Sequence, residues 1–425
     1  MDLQLALPEG LRYELYSDSV LEKGMVGLVD ILGGDPAIAA CGRLYYQISG
    51  GSDEEVINSL AENQLWEPFG VAHATFVEKV PQFVKNQNHR HRQARRNSAS
   101  ARYREIPTEN YVPGTFHSEV GGAMDYQRSD LPKHTSIVAR REVSKIIRHS
   151  EELYQKLLRL GVSKEEARLV RLENQYQWFY ETVNVWSLFN YLNLRCDLHA
   201  QREIVEEAVA KARILAQIMP LTWQAFKKFV WYRKNPEIDA LEATPHSWAA
   251  QRLASASDRV FTINNECDLV HKDVSLGDLG VVLSARASLL RTTEGDEKRD
   301  RGLMNRLLQD RHMSPWETPV HLFAVTAPTP YVYEFLKYSW APSNHLPRLV
   351  ERFEKEKSLP SLSTFFWPVD TRSLMDFINE AGKSDSTLLR KFAKGTGELY
   401  RQSMPWGFDV FLRQTWKGEP NFFAS

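Results

Sequence analysis

The chain has 425 residues, enough for roughly two or three ordinary domains, and its 43% hydrophobic and 25% charged content is that of a globular protein. A net charge of −1 argues against a protein built as a whole to hold nucleic acid, and the 11 tryptophans, 16 tyrosines and 20 phenylalanines suit a large core with pockets for planar ligands. Cys41, Cys196 and Cys267 are too scattered for a disulfide framework or a Cys-rich zinc site, no apolar run reaches membrane-spanning length, and the first residues lack a signal peptide's pattern, so a reducing, cytoplasmic setting is expected.

In chain order, a helical pattern containing Leu60 comes before a strand-like stretch, Val71-Ala-His-Ala-Thr-Phe-Val-Glu-Lys-Val. Residues 90–103 then read Arg-His-Arg-Gln-Ala-Arg-Arg-Asn-Ser-Ala-Ser-Ala-Arg-Tyr, ending in a strand-like Ser-Ala-Arg-Tyr. Residues 106–136 hold Pro, Gly, Asn, Asp and Ser with little periodicity and read as a long loop. Long helices follow. Gly161 ends one, and Ser163-Lys-Glu-Glu166 reads as a capping box that starts the next. Residues 199–231 carry Ile204, Ala208, Ala212, Leu215 and Ile218 at helical spacing. The helical patterns break at Lys234-Asn-Pro-Glu and Thr244-Pro-His-Ser.

Beyond that break the fragments recur. Pro68, Phe76 and Pro81 return as Pro315, Phe323 and Pro328 at one constant offset, which also relates Leu60 to Leu307. Met219-Pro220, Phe226 and Trp231 return as Met404-Pro405, Phe411 and Trp416. Residues 184–193 parallel residues 370–379. Three matched blocks in one order predict a tandem duplication, too short to be a solenoid. The expected class is α+β, with two related domains at 1–235 and 236–425, each a small antiparallel or mixed sheet with long helices.

The basic run packs five arginines, one histidine and two serines into residues 90–103. Guanidinium forks match phosphate oxygens bidentately and stack on rings, so the run suits a charged, planar ligand such as a nucleotide. A solvated face or a single-strand nucleic-acid patch would share this composition. A second block runs through Glu166-Ala-Arg168-Leu, Thr182-Val-Asn184, Asn190-Tyr-Leu-Asn-Leu-Arg195 and His199-Ala-Gln201. Leu188, Leu192, Leu194 and Ile204 read as core. Arg195 lies among apolar residues, where an arginine must be paired or bind a ligand.

Arg90, His91 and Arg92 followed by Ser100, together with the second block, resemble the motifs of the flavin-dependent thymidylate synthases. The resemblance covers about residues 20–232, and more weakly 268–416. It implies methylation at carbon 5 of dUMP, with the carbon from methylenetetrahydrofolate and the hydride from NADPH through FAD. Arg195 matches the position that orients and activates the base, where it would stabilise developing charge on the pyrimidine carbonyls. Ser100 matches a contact at the reacting base and not a nucleophile. Gln87, Arg102 and Arg168 match further nucleotide contacts. Arg90, His91, Arg92, Asn184 and Asn190 match flavin contacts.

Each half departs from the family pattern. The first has Ser98 where an acidic residue is expected, Leu65-Trp-Glu-Pro-Phe-Gly70 where the family has a flavin-holding block, and Trp186 where it has an arginine. The second keeps Ala285-Arg-Ala-Ser288, His312-Met-Ser-Pro-Trp-Glu317 and Arg372, but has Leu336-Lys-Tyr-Ser-Trp-Ala-Pro in place of the arginine signature. The expectation is a composite site in which Ser288, His312, Glu317 and Arg372 serve the flavin. Family members are homotetramers, so two such chains would form a homodimer that imitates one. No metal, membrane or nucleic-acid partner is expected. UMP or dCMP as substrate, hydroxymethylation, and an inactive nucleotide- or nucleic-acid-binding homologue are the alternatives.

Overall fold

A computed structural model describes residues 7–15, 23–46, 48–99, 109–120, 127–264, 267–288, 296–328 and 362–415. Ser100, Arg102, residues 336–342 and Trp416 lie outside the described residues, as does the Ser288 side chain.

The first half opens with β1 (Arg12–Leu15) and β2 (Gly24–Leu32), followed by α1 (Gly34–Tyr46) and α2 (Asp53–Glu62). A 3-10 turn at Glu67–Gly70 leads into β3 (His73–Pro81), α3 (Gln82–Asn88) and β4 (Ala94–Ser98). Then come β5 (His117–Val120), β6 (Gln127–Asp130), α4 (Lys133–Arg159) and α5 (Lys164–Ala167). β7 (Tyr176–Asn184), α6 (Val185–Arg195), α7 (Arg202–Ile218) and α8 (Pro220–Ala225) complete the pattern. The short α9 (Pro236–Ala240) and α10 (Ser247–Ala254) follow, and their Ile238 and Ala249 pack into the first core.

The second half runs β8 (Arg259–Asn264), β9 (Cys267–Val274), α11 (Gly277–Ser288) and α12 (Glu297–Gln309). A 3-10 turn at Ser314–Glu317 leads to β10 (Val320–Pro328). β11 (Leu362–Asp370), α12's successor α13 (Thr371–Ala381), α14 (Thr387–Ser403) and α15 (Pro405–Thr415) close it. The class is α+β, with antiparallel sheets of order β1-β2-β3-β7-β4 and β11-β10-β9-β8.

The two stretches share more than element order. Gly33 and Gly34 take positive φ where α1 starts, and Leu276 and Gly277 do so where α11 starts. Gln64 and Arg311 do the same after α2 and α12. Asn184 accepts from the Ser187 amide to cap α6, as Asp370 accepts from the Ser373 amide to cap α13. Met219 and Met404 break their helices at nearly the same backbone angles, φ −137° and −141°.

Two expectations need correction. Residues 106–136 are not one loop, because β5 and β6 pair as a hairpin and α4 starts at Lys133. Alternating polar residues hid the hairpin, and α4 buries only Ser136 and Tyr154, so its apolar signal is weak there. Within the basic run β4 spans Ala94–Ser98, and the strand expected at 100–103 lies outside the described residues. Leu194 is 41% exposed, since it falls on the outer side of α6 while Leu188 and Leu192 face the core.

β2 is buried along almost its whole length because both faces of its sheet are covered. One face packs on the first half's own helices. On the other, Met25, Val77 and Tyr180 receive Leu283 from α11. Polar contacts hold the same seam. Arg252 lies 2.7 Å from Asp30 and 3.1 Å from Asp273. Asn97 donates to the Ser284 carbonyl at 2.7 Å, and Arg95 donates through Nε (3.0 Å) and a terminal nitrogen (2.7 Å) to Asp370 Oδ2. Asp370 thus caps α13 and clasps β4 at once. Arg95→Ala should lower unfolding stability by about 2 kcal/mol, the scale of a hydrogen bond to a charged partner. Asp370→Ala should cost about 1 kcal/mol more, because the cap is lost too. Urea denaturation of the two variants and their double checks this: strictly additive losses would mean that the clasp is not formed, and equal ones that the cap adds nothing.

Candidate functional site

The site begins with the pairing of β4 on β7, which sets Arg95 opposite Thr182, Arg96 opposite Glu181 and Asn97 opposite Tyr180. Successive side chains on a strand point to opposite faces. Arg95 and Asn97 therefore reach the second half, while Arg96 turns to the helices of the first. Its Nε donates to Glu181 Oε1 at 2.7 Å, and one terminal nitrogen donates to the His91 carbonyl at 2.6 Å.

α6 supplies the opposite wall. From its cap at Asn184, helical spacing puts Ser187, Asn190, Tyr191 and Arg195 along one side. A cleft of about 280 Å³ lies between this wall and the basic run, lined among others by His91, Arg92, Gln93, Arg96, Trp186 and Asn190. Ser187 closes it by donating to Gln93 at 3.0 Å. The His91 ring meets the Tyr191 ring edge-on, with centroids 4.7 Å apart. Arg195 Nε donates to His91 Nε2 at 3.1 Å, joining two motifs 104 residues apart.

Behind the cleft sits a buried charge cluster. Lys211 Nζ lies 2.5 Å from Glu181 and 2.7 Å from Glu207. It is 2.8 Å from Glu78 Oε1, but off hydrogen-bond alignment, and neither Glu78 oxygen accepts an aligned donor. Asn88 and the Tyr191 hydroxyl also donate to Glu207. Burial, with the charges of Glu207 and Glu181, pushes the Glu78 carboxyl well above the usual range despite Lys211. Against the upward push of burial, Lys211 and Arg96 hold Glu181 down to about 2. Glu207 is held below its usual value in the same way by Lys211. The upward push on Glu78 eases the excess of negative charge that three carboxylates set against Lys211 and Arg96.

Several expected residues meet here. His91, Arg92 and Asn190 line the cleft, Arg195 joins them through His91, and Asn184 starts their helix. Arg90 is exposed on the preceding turn. Among the described residues, neither Arg90 nor Arg92 has an ion-pair partner. Gln87, on α3, donates to Gln201 at 2.6 Å and does not line the cleft. Arg168 is exposed on the turn after α5, where Nε donates to the Glu165 carbonyl. In the second half, His312 is exposed beside the 3-10 turn, and Arg372 pairs with Glu317 at 2.5 Å. None of these three lines the cleft; Arg372 sits two residues beyond the Asp370 clasp on the far face of β4.

Sequence reasoning missed Arg96, Glu181, Tyr191 and Lys211. Their one signal was Glu207 and Lys211, four apart on the apolar face of a helix. It also missed that Trp186 stacks on Trp66, with centroids 4.6 Å apart and planes 12° apart. Trp186 stands where the second half has the Glu317-paired Arg372. Among the described residues no cluster of side chains could hold a metal ion, and no helix is long and apolar enough to cross a membrane.

The fold is antiparallel α+β, and its cleft brings the guanidiniums of Arg92 and Arg96 together with the rings of His91, Trp186 and Tyr191. Residues 27–221 match the family described as Thymidylate synthase complementing protein. A flavin-dependent thymidylate synthase of Thermosipho melanesiensis is 38% identical over 215 residues, 49% of this chain and 93% of the relative. One of Thermus thermophilus is 34% identical over 259 residues, 57% of this chain and 95% of the relative. A solved UMP/dUMP methylase of Streptomyces cacaoi, bound with 5-Br UMP, is 30% identical, with a TM-score of 0.46, covering 50% of this chain and 97% of its own. The chain belongs to the flavin-dependent thymidylate synthase family and is a methyltransferase.

Burial, then the charges of Arg195 and Arg96, lowers the His91 pKa from 6.5 to about 4. His91 is thus neutral at pH 7, and its Nε2 accepts from Arg195. Because the folded value lies below the unfolded one, its contribution is present above pH 6.5 and is lost as pH falls from 6.5 towards 4. The His91 imidazole resonances should stay unchanged from pH 8 to about 5.5 and move only near pH 4. A midpoint near 6.5 would show that the ring is not sealed against Arg195.

Proposed function

We propose that the protein methylates carbon 5 of a pyrimidine nucleotide, converting dUMP to dTMP with methylenetetrahydrofolate as carbon donor and NADPH as reductant. One observation carries this reading. Arg195 is anchored by Nε on neutral His91, while its two terminal nitrogens have no partner among the described residues. A guanidinium held in this way can present a fork to the pyrimidine carbonyls and stabilise charge that develops there. Arg90 and Arg92, without an ion-pair partner among the described residues, and Asn190 on the cleft wall fit the anionic and polar parts of FAD. When bound, FAD would supply the hydride chemistry that side chains lack. Gln87, Ser100, Arg102 and Arg168 are the proposed nucleotide contacts, and Asn184 a further flavin contact.

The two halves are proposed to be a divergent tandem duplication, supported by shared element order, caps and positive-φ positions. The two domains are proposed to be residues 1–235 and 236–425, with Ile238 and Ala249 of α9 and α10 packed in the first core. Ser288, His312, Glu317 and Arg372 serve the flavin from the second half across β4, and two chains complete the sites as a homodimer.

Purified protein should show flavin absorbance at one flavin per chain. Tritium should be released from 5-tritiated dUMP when folate and NADPH are supplied, with UMP and dCMP as parallel arms. Release without NADPH dependence would indicate hydroxymethylation. No release from any of the three, with salt-sensitive oligonucleotide binding instead, would replace the enzyme reading by a binding one. Arg195→Ala should reduce release by roughly 100-fold or more while flavin stays bound.

A further inference from the structure

We infer that the buried Lys211 cluster is a positioning device that aims Arg195 by fixing His91 from two sides. The inference rests on the proposed function for its kinetic consequence but not for its geometry. One arm runs from Lys211 through Glu181 to Arg96, which donates to the His91 carbonyl at 2.6 Å. The other runs from Lys211 through Glu207 to the Tyr191 hydroxyl, and the Tyr191 ring carries the His91 ring edge-on. Backbone and imidazole of His91 are thus held by separate routes that meet at one ammonium. The ring so held receives Arg195 Nε at 3.1 Å.

The fold does not need these charges. β3, β7, α6 and α7 have the same lengths as β10, β11, α13 and α14. Counted from the start of each element, Glu78 corresponds to Val325, Glu181 to Trp367, Glu207 to Phe392 and Lys211 to Thr396, all buried. Tyr191 corresponds to Phe377, which lacks the hydroxyl, and Arg195 to Ala381. The same frame stands on an apolar core where there is no arginine to aim. A buried ion cluster is a poor source of stability compared with packed apolar side chains. Its presence only in the half that carries Arg195 points to orientation as its use.

Arg96→Lys keeps the cluster's charge but cannot fork between Glu181 and the His91 carbonyl. Tyr191→Phe keeps the ring but removes the hydroxyl from Glu207, and serves if the first variant does not fold. Each should lower kcat by about tenfold or more with little change in nucleotide KM, since a small misplacement of a group that acts in the transition state costs rate. In an Arg195→Ala background the same changes should be silent. Losses that simply multiply would overturn the inference. The second readout needs no turnover: the His91 imidazole midpoint should rise from about 4 towards 6.5 in either variant. An unmoved midpoint overturns the positioning role even if the enzyme is active. A moved midpoint in a protein with no activity on any nucleotide leaves the positioning role standing and defeats the proposed reaction instead.

Discussion

The antiparallel pairing of β4 with β7 is the constraint on which the rest of the site depends. Strand alternation gives the basic run two faces, and each arginine of Arg95-Arg96 has a different fate. Arg95 becomes a clasp on the cap of α13, and Arg96 becomes part of a buried cluster and one wall of the cleft. A slip of one residue would exchange these roles and put Arg95 against Glu181. The register is therefore held by polar partners on both faces as well as by the ladder itself.

The cluster around Lys211 shows how a charged interior is made tolerable. Three carboxylates around one ammonium would carry a net negative charge. The raised Glu78 pKa and Arg96, entering from the cleft edge, both ease that imbalance. The result places a dense hydrogen-bonding frame directly beneath the ligand cleft. Frames of this kind fix geometry more than they add stability.

The seam between the halves has the character of a core rather than of a contact between separate bodies. Leu283 lies in a cluster with Met25, Val77 and Tyr180, and Val320, Leu322 and Phe366 belong to the first half's core. Trp186 on Trp66 in one half and Arg372 on Glu317 in the other show one location put to two uses. A stacked indole pair closes the first position by dispersion, while the ion pair keeps the second polar and half exposed.

Much of this was legible along the chain. Capping residues, the Met-Pro helix breaks, the repeated blocks and the two motifs are local or spaced patterns, and local chemistry such as a cap or a fixed φ needs no tertiary knowledge. The β5–β6 hairpin and the exposure of Leu194 were not legible, because short polar strands and one residue's facing carry little periodic signal. Sequence alone therefore determined the α+β class and the family, and led to the expectation that the halves recur and that Arg90, His91, Arg92 and Arg195 serve one site. Only the tertiary structure decided that Arg95 clasps Asp370, that Arg96 joins the buried cluster and that Arg195 meets His91. Those assignments depend on what lies across a strand and under a helix, and groups such as Glu78, Glu181 and Lys211 are brought within hydrogen-bonding range only by folding.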